Sequence, residues 1–304
     1  MTKPWQSPIL VSGSSGLIGT SLLRSFSADR IQAIRLVREK SDRPDAIQWN
    51  PDSAEPVDDL SRLENAGAAI HLSGANLSSH RWTASYKREI MESRVQTTRT
   101  LVNLLKRLKN PPQSLLCASA VGIYGDRGNE VLTEKSAPGQ GFLADTCHAW
   151  EAEADRAAEA GLRVVHLRFG VVLSSDDGAF KQMLPVFRAG LGGRLGSGRQ
   201  WMSWIALSDL VRAILHILRT DAVEGPVNLV APIPVTNQDF TRALGRALHR
   251  PTVLPVPSFA LRAAFGEMAD AALLASTRAI PERLAASGFR FELPEINAAL
   301  QSIL

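Results

Sequence analysis

The chain has 304 residues, of which 45% are apolar and 21% charged, with 34 Lys+Arg against 30 Asp+Glu. These proportions exclude a disordered, collagen-like or coiled-coil chain, and no apolar run reaches the ~18 residues a membrane span needs. A formal net charge of +4, dispersed along the sequence, gives no electrostatic footprint for nucleic acid.

In chain order, Ile9–Val11 is a short β-rich run that ends in Ser12-Gly13, and helix-like sequence starts near Gly16. A second β-like run covers Ile31–Val37, and a short strand is expected around Ile47–Trp49 inside a polar stretch. Ala68–Leu72 reads as a buried strand broken by Ser73-Gly74. Leu101, Leu104, Leu105 and Leu108 then mark one face of a helix between about Ala84 and Leu108, which Pro111-Pro112 stops. Ser114–Ala118 is the next strand, and Ala149–Ala160 is a helix closed by Gly161. Val164–Leu167 and Val227–Val230 are further strands, with a helix at Asp209–Leu218 between them. Strands alternating with helices imply an α/β, doubly wound parallel sheet. After Pro232 the pattern turns helical, at Asn237–Leu248 and Ser258–Phe265, and the Gly-rich stretch Gly190–Gly198 interrupts the alternation. The expected division is therefore a main domain over 1–230, with an inserted lobe segment near 174–204, and a smaller, mainly helical C-terminal domain over 231–304.

The N-terminal MTKPWQSPILVSGSSG lacks the order of a signal peptide, and two cysteines make no disulfide framework. A cytoplasmic protein is expected. Six histidines are scattered without H-x-x-x-H spacing, so no metal site is expected, and no G-x-S-x-G elbow suggests a hydrolase.

Gly13-Ser14-Ser15-Gly16-Leu17-Ile18-Gly19 spells G-x-x-G-x-x-G between a strand and a helix. Glycine lets the backbone turn tightly and approach a pyrophosphate, and the helix N-terminus offers free N–H groups to the anion. The end of the second strand chooses between dinucleotides. An acid there binds the ribose 2′-hydroxyl of NAD, whereas a base accommodates the 2′-phosphate of NADP. The chain reads Arg35-Leu36-Val37-Arg38-Glu39, with Arg38 at the strand tip and Glu39 as the competing signal. NADP(H) is the expected cofactor.

These residues resemble the extended short-chain dehydrogenase/reductases, and more closely their atypical, YfcH-like branch within the NAD-dependent epimerase/dehydratase superfamily. The likeness runs from about Pro8 to Leu304. It rests on Leu72-Ser73-Gly74-Ala75-Asn76, Arg81-Trp82-Thr83, Ser93-Arg94 with Thr97-Thr98, Ser119-Ala120-Val121-Gly122-Ile123-Tyr124-Gly125, Leu195-Gly196-Ser197-Gly198-Arg199-Gln200-Trp201, and Gly288-Phe289. The resemblance implies a Rossmann-type NADP-binding domain and a C-terminal substrate domain over the nicotinamide end. It puts Gly13, Ser15, Gly16, Leu17 and Ile18 at the pyrophosphate, and Val37 and Arg38 at the adenosine ribose and its phosphate. It puts Leu72 and Ser73 beside the other half of the cofactor. Glu89 and Arg94 match polar positions that face the dinucleotide.

The superfamily's chemistry uses a tyrosine, a lysine four residues on, and a serine that holds the substrate oxygen. Ser119 matches the serine. At the tyrosine and lysine positions the resemblance puts Leu143 and Cys147, with Cys147 expected beside the nicotinamide ribose. The chain's two tyrosines, Tyr86 and Tyr124, are followed at +4 by Ile90 and Gly128, so the usual pair is absent. Tyr124 is the remaining hydroxyl that could serve as the acid. Arg199, Gln200, Trp201, Trp204 and Asp209 either meet an anionic, stackable ligand or pack between lobes. The expected activity is an NADP(H)-dependent oxidoreductase or epimerase acting on a small polar or nucleotide-sugar-like molecule. The alternative is a cofactor-binding sensor or interaction module with weak catalysis.

Overall fold

The computed structural model describes residues 7–304, and Met1–Gln6, part of the segment examined for a leader, lie outside the described residues. The chain builds β1 (Ile9–Ser12), α1 (Leu17–Ala28), β2 (Ala33–Val37), β3 (Ala46–Gln48), β4 (Ala68–His71), α2 (Ala84–Lys106) and β5 (Ser114–Ala120). Then come β6 (Val131–Leu132), α3 (Phe142–Asp155), β7 (Arg163–Phe169), β8 (Val171–Leu173), α4 (Gly178–Arg188), β9 (Trp201–Met202), β10 (Trp204–Ala206), α5 (Leu207–Leu218) and β11 (Gly225–Leu229). The chain ends with β12 (Val235–Thr236), α6 (Asn237–Leu248), α7 (Ser258–Phe265), β13 (Arg278–Ala279), α8 (Glu282–Ala286) and α9 (Ile296–Ile303).

Seven strands form one parallel sheet in the order β11-β7-β5-β4-β1-β2-β3. Its central strands are buried on both faces, so β1 and β4 read as unbroken buried runs rather than alternating ones. Leu22, Leu23 and Phe26 of α1 join Ile214 and Leu218 of α5 in the core on one face. Leu101, Leu104 and Leu105 of α2 join Trp150 and Ala154 of α3 on the other. This is the doubly wound arrangement, and β1 and β4 flank the point where the strand order reverses. Ligands bind at the carboxyl ends of the strands there.

A third core gathers Leu173, Phe180, Leu184 and Trp204 with Val235, Phe240, Leu244 and Leu300. The second lobe thus draws on sequence from both sides of residue 230. Short strand pairs, β10 with β8, β12 with β9 and β13 with β6, form separate two-stranded ribbons outside the main sheet. No helix among the described residues is long and apolar enough to cross a membrane.

Candidate functional site

Two connected clefts run along the carboxyl ends of the strands, meeting at Gly13, Gly16, Leu72, Ser73 and Gly74. The outer cleft, about 1170 Å³, lies between the tips of β1, β2 and β4 and the first half of α2. The inner one, about 550 Å³, lies between β4, β5, α3 and the second lobe.

The glycines of the loop have different reasons to be glycine. Gly13 has φ +69°, and a Cβ there would sit 2.6 Å from the backbone of Leu72. A Cβ on Gly19 would sit 2.3 Å from the Gly13 carbonyl oxygen. Both positions let β1, β4 and α1 close on one another. At Gly16 a Cβ would meet only the Gly13 oxygen, at 3.6 Å, and would project into the cleft. The N-cap Gly16 gives α1 no side-chain cap, and its first turn holds no acid. The exposed N–H groups and the positive dipole end therefore face open space suited to an anion.

At the tip of β2, Val37 and Arg38 line the outer cleft together with Glu39 and Lys40. Gln48 Nε2 donates to the Arg38 carbonyl at 3.2 Å and fixes its backbone, while the Arg38 guanidinium makes no ion pair with a described residue. Arg35, by contrast, is paired with Asp45 at 2.9 Å. Ser15, Ser73 and Glu89 line the same cleft, whereas Leu17 and Ile18 line the inner one. Arg94 is half-buried between the two halves. Its Nη1 donates to the Ile90 carbonyl and its Nη2 to the Ala75 carbonyl, both at 2.9 Å. It therefore braces the loop after β4, and burial pulls its pKa below the usual guanidinium range.

At the inner cleft the buried Ser119 lies next to last in the central strand β5, and α3 faces it with Leu143, Cys147 and Glu151 on one stripe, four residues apart. Ser119 Oγ donates to Glu151 Oε1 at 2.6 Å. Glu151 is in turn held by the fork of Arg168, with Nε to Oε1 and Nη2 to Oε2 both at 2.8 Å. Burial disfavours the Arg168 charge, but Glu151 more than offsets this and raises the pKa above the ordinary value. The Cys147 thiol is pushed up to about 11 by burial and by the Glu151 charge, partly countered by Arg94, so it stays protonated at neutral pH.

Tyr124 corrects the sequence reading. It is fully buried, with its hydroxyl donating to Asn228 Oδ1 at 2.8 Å and accepting from Arg168 Nη1 at 2.9 Å. It lies behind the Glu151–Arg168 pair and does not line the cleft, because the turn after β5 swings its ring into the core beside Leu132 and Ala279. Tyr86 packs against Trp82, Ile90 and Met268 and also lies off the cleft.

The segment 199–209 divides. Trp201 lines the inner cleft, with its Nε1 donating to Asn129 Oδ1 at 3.0 Å. Trp204 is buried in the third core, that of the second lobe, and Asp209 accepts from the backbone N–H groups of Glu292 and Leu293. Arg199 is exposed. No His, Cys, Asp or Glu cluster among the described residues could hold a metal ion.

Residues 9–230 match the profile of the NAD dependent epimerase/dehydratase family, and residues 256–303 match a domain of unknown function, DUF1731. The chain belongs to the NAD dependent epimerase/dehydratase family. Among its relatives, the epimerase family protein Mb2239 of Mycobacterium bovis is 43% identical over 292 residues, 96% of each chain. The epimerase family protein SDR39U1 of Bos taurus is 37% identical over 97% of this chain and 99% of its own. The crystal structure of human SDR39U1 with NADPH superposes with a TM-score of 0.88 at 33% identity, covering 97% of this chain and 98% of that one.

The Glu151–Arg168–Tyr124–Asn228 network is what sequence reading missed in this family member. Two signals pointed to it. Arg168 sits between Leu167 and Phe169 in a strand of the sheet, and Glu151 shares a helix face with the positions expected to carry tyrosine and lysine.

Proposed function

We propose that the chain binds NADP(H) across both clefts and acts as an oxidoreductase or epimerase without the tyrosine–lysine pair. The observation that carries this is the bare N-terminus of α1 beside Gly16, with the unpaired Arg38 at the tip of β2. The NADPH in the human SDR39U1 crystal structure supports the same choice of cofactor. In this reading Gly13, Ser15, Gly16, Leu17 and Ile18 hold the pyrophosphate, and Val37 and Arg38 hold the adenosine ribose and its 2′-phosphate. Leu72, Ser73, Glu89 and Cys147 flank the remainder, while Arg94 shapes the wall between the clefts. The nicotinamide supplies a hydride donor or acceptor when bound. Ser119, oriented by Glu151, positions the substrate oxygen at the inner end.

A second reading, an NADP(H)-responsive sensor or interaction module, is favoured by Leu143, by the protonated thiol of Cys147 and by two tyrosines turned off the cleft. Turnover of any carbonyl or alcohol with the bound cofactor separates the two.

The expected binding signature is a preference for NADPH over NADH. A charged hydrogen bond to the 2′-phosphate contributes about 1.5–3 kcal/mol, roughly ten- to a hundredfold in affinity. Titrations monitored by tryptophan fluorescence should show Arg38→Ala losing that preference while NADH affinity stays unchanged. Equal affinities in the wild type, or an undiminished preference in the variant, would end the assignment.

A further inference from the structure

The inner cleft is walled by Leu143, Val172, Met183, Trp201, Met202 and Leu273, from the main sheet and the second lobe together. Its ionisable lining is confined to Arg94 and Cys147. Each Nη nitrogen of Arg94 is tied to a backbone carbonyl, which fixes the guanidinium against the wall, and the Cys147 thiol is uncharged at neutral pH. Four other polar side chains on these walls spend a donor within the protein. Thr146 donates to the Phe142 carbonyl at 2.7 Å, Ser203 to the Thr277 carbonyl at 2.8 Å, Trp201 to Asn129 at 3.0 Å and Gln200 to the Leu273 carbonyl at 3.1 Å. A sugar diphosphate brought into this cleft would exchange its water for a single guanidinium already engaged with two backbone carbonyls, which leaves most of its charge uncompensated.

Ser119 narrows the choice further. The Arg168 fork donates to both oxygens of Glu151, and a carboxylate only accepts. The one hydroxyl proton of Ser119 is therefore committed to Glu151, and what Ser119 presents to the cleft is its lone pairs. A group that meets it must donate.

Building on the proposed cofactor reading, the geometry points to an uncharged, largely apolar alcohol as the ligand of the inner cleft, with its hydroxyl donating to Ser119 Oγ. The hydrocarbon part gains by leaving water against the apolar wall. A ketone of the same skeleton gains that burial but finds no donor in Ser119.

Calorimetric titration of the NADPH-saturated protein with octan-2-ol, octan-2-one and UDP-glucose tests this. Octan-2-ol should bind about tenfold more tightly than octan-2-one, the difference one hydrogen bond makes, and UDP-glucose should give no heat. In Ser119→Ala the alcohol preference should vanish while the ketone affinity stays. In Met183→Glu both should weaken at least tenfold, with NADPH affinity unchanged. UDP-glucose binding more tightly than octan-2-ol, equal affinity for alcohol and ketone, or no binding of either at millimolar concentration would each overturn the proposal. If the wild type takes up no NADPH, the cofactor reading is what fails, and the same titrations of the cofactor-free protein still read the cleft.

Discussion

The two clefts are held together by opposite means. The outer one is made of exposed side chains on three strand tips, and its charged groups, Arg38, Glu39, Lys40, Arg88 and Glu89, reach into solvent. The inner one is made of buried side chains, and its charges are paired behind the surface in the Ser119–Glu151–Arg168–Tyr124–Asn228 network. Substitutions in the outer cleft should therefore alter binding and leave the fold alone. Substitutions behind the inner cleft should alter the fold first.

The largest expected effect falls on the inner side. Glu151→Ala leaves the Arg168 guanidinium buried at 6% exposure without its carboxylate, and breaking a buried pair in this way costs about 3–5 kcal/mol. Urea unfolding should show the midpoint fall accordingly. Glu151→Leu combined with Arg168→Met should recover much of the loss, since an apolar replacement of both partners removes the orphaned charge. A fully stable Glu151→Ala would mean that the network is not what holds α3 to β7, and the contrast between the clefts would collapse.

Gly16→Val sharpens the other arm. The Gly16 backbone is extended, at φ −74° and ψ 171°, which valine adopts without strain. Its side chain would fill the space where the pyrophosphate approaches the α1 N-terminus. Cofactor affinity should drop by more than about a hundredfold, the equivalent of about 2.8 kcal/mol. Stability should change by no more than about 1 kcal/mol, the scale of altering an N-cap residue. If affinity measured by calorimetry stays at the wild-type level, the loop does not cradle phosphate.

The same contrast explains what could be read in the sequence. One side of the outer cleft is local: strand, glycine loop, helix and strand tip follow one another within Ile9–Arg38, so that side is written in contiguous spacing, while β4 and α2 supply the other. The expected helices Asn237–Leu248 and Ser258–Phe265 also agree with α6 and α7, because amphipathic spacing and flanking prolines mark them. The inner cleft is assembled from residues far apart, with Tyr124 meeting Asn228 and Ser203 meeting Thr277. Strands as short as β6, β9, β12 and β13 carry no period to detect. The helix expected from Ala149 starts at Phe142, since Gly141 supplies no capping side chain, and its last turn tightens into a 3-10 segment at Arg156–Ala160. Tyr124 was misplaced for a related reason: the motif fixes its position in the turn, but the burial of Arg168 decides where its ring goes.

An effect that grows only as the pH falls concerns the layer beneath the clefts. His71, at the end of β4, bonds Ser12 Oγ through Nδ1 at 2.5 Å and lies against the edge of Trp49, which lines the outer cleft. It is completely buried, and burial lowers its pKa from the usual 6.5 to about 3. The folded state thus holds His71 neutral, whereas the unfolded chain protonates it below pH 6.5. Its contribution is fully present above that value and is lost progressively as the pH falls toward 3, by up to about 1.4 kcal/mol per pH unit. His71→Gln keeps an amide that can bond Ser12 but removes the titration. It should lower stability at pH 7.5, yet flatten the decline between pH 6.5 and 4 relative to the wild type. Because the folded state keeps His71 neutral down to about pH 3, NADPH affinity of the folded protein should not follow this titration and should have the same pH dependence in wild type and variant. Urea midpoints measured at a series of pH values would check the first expectation, and fluorescence titration with NADPH the second. Parallel stability curves for the two proteins would show that the acid sensitivity comes from elsewhere, and that this layer is as indifferent to charge as the apolar wall above it.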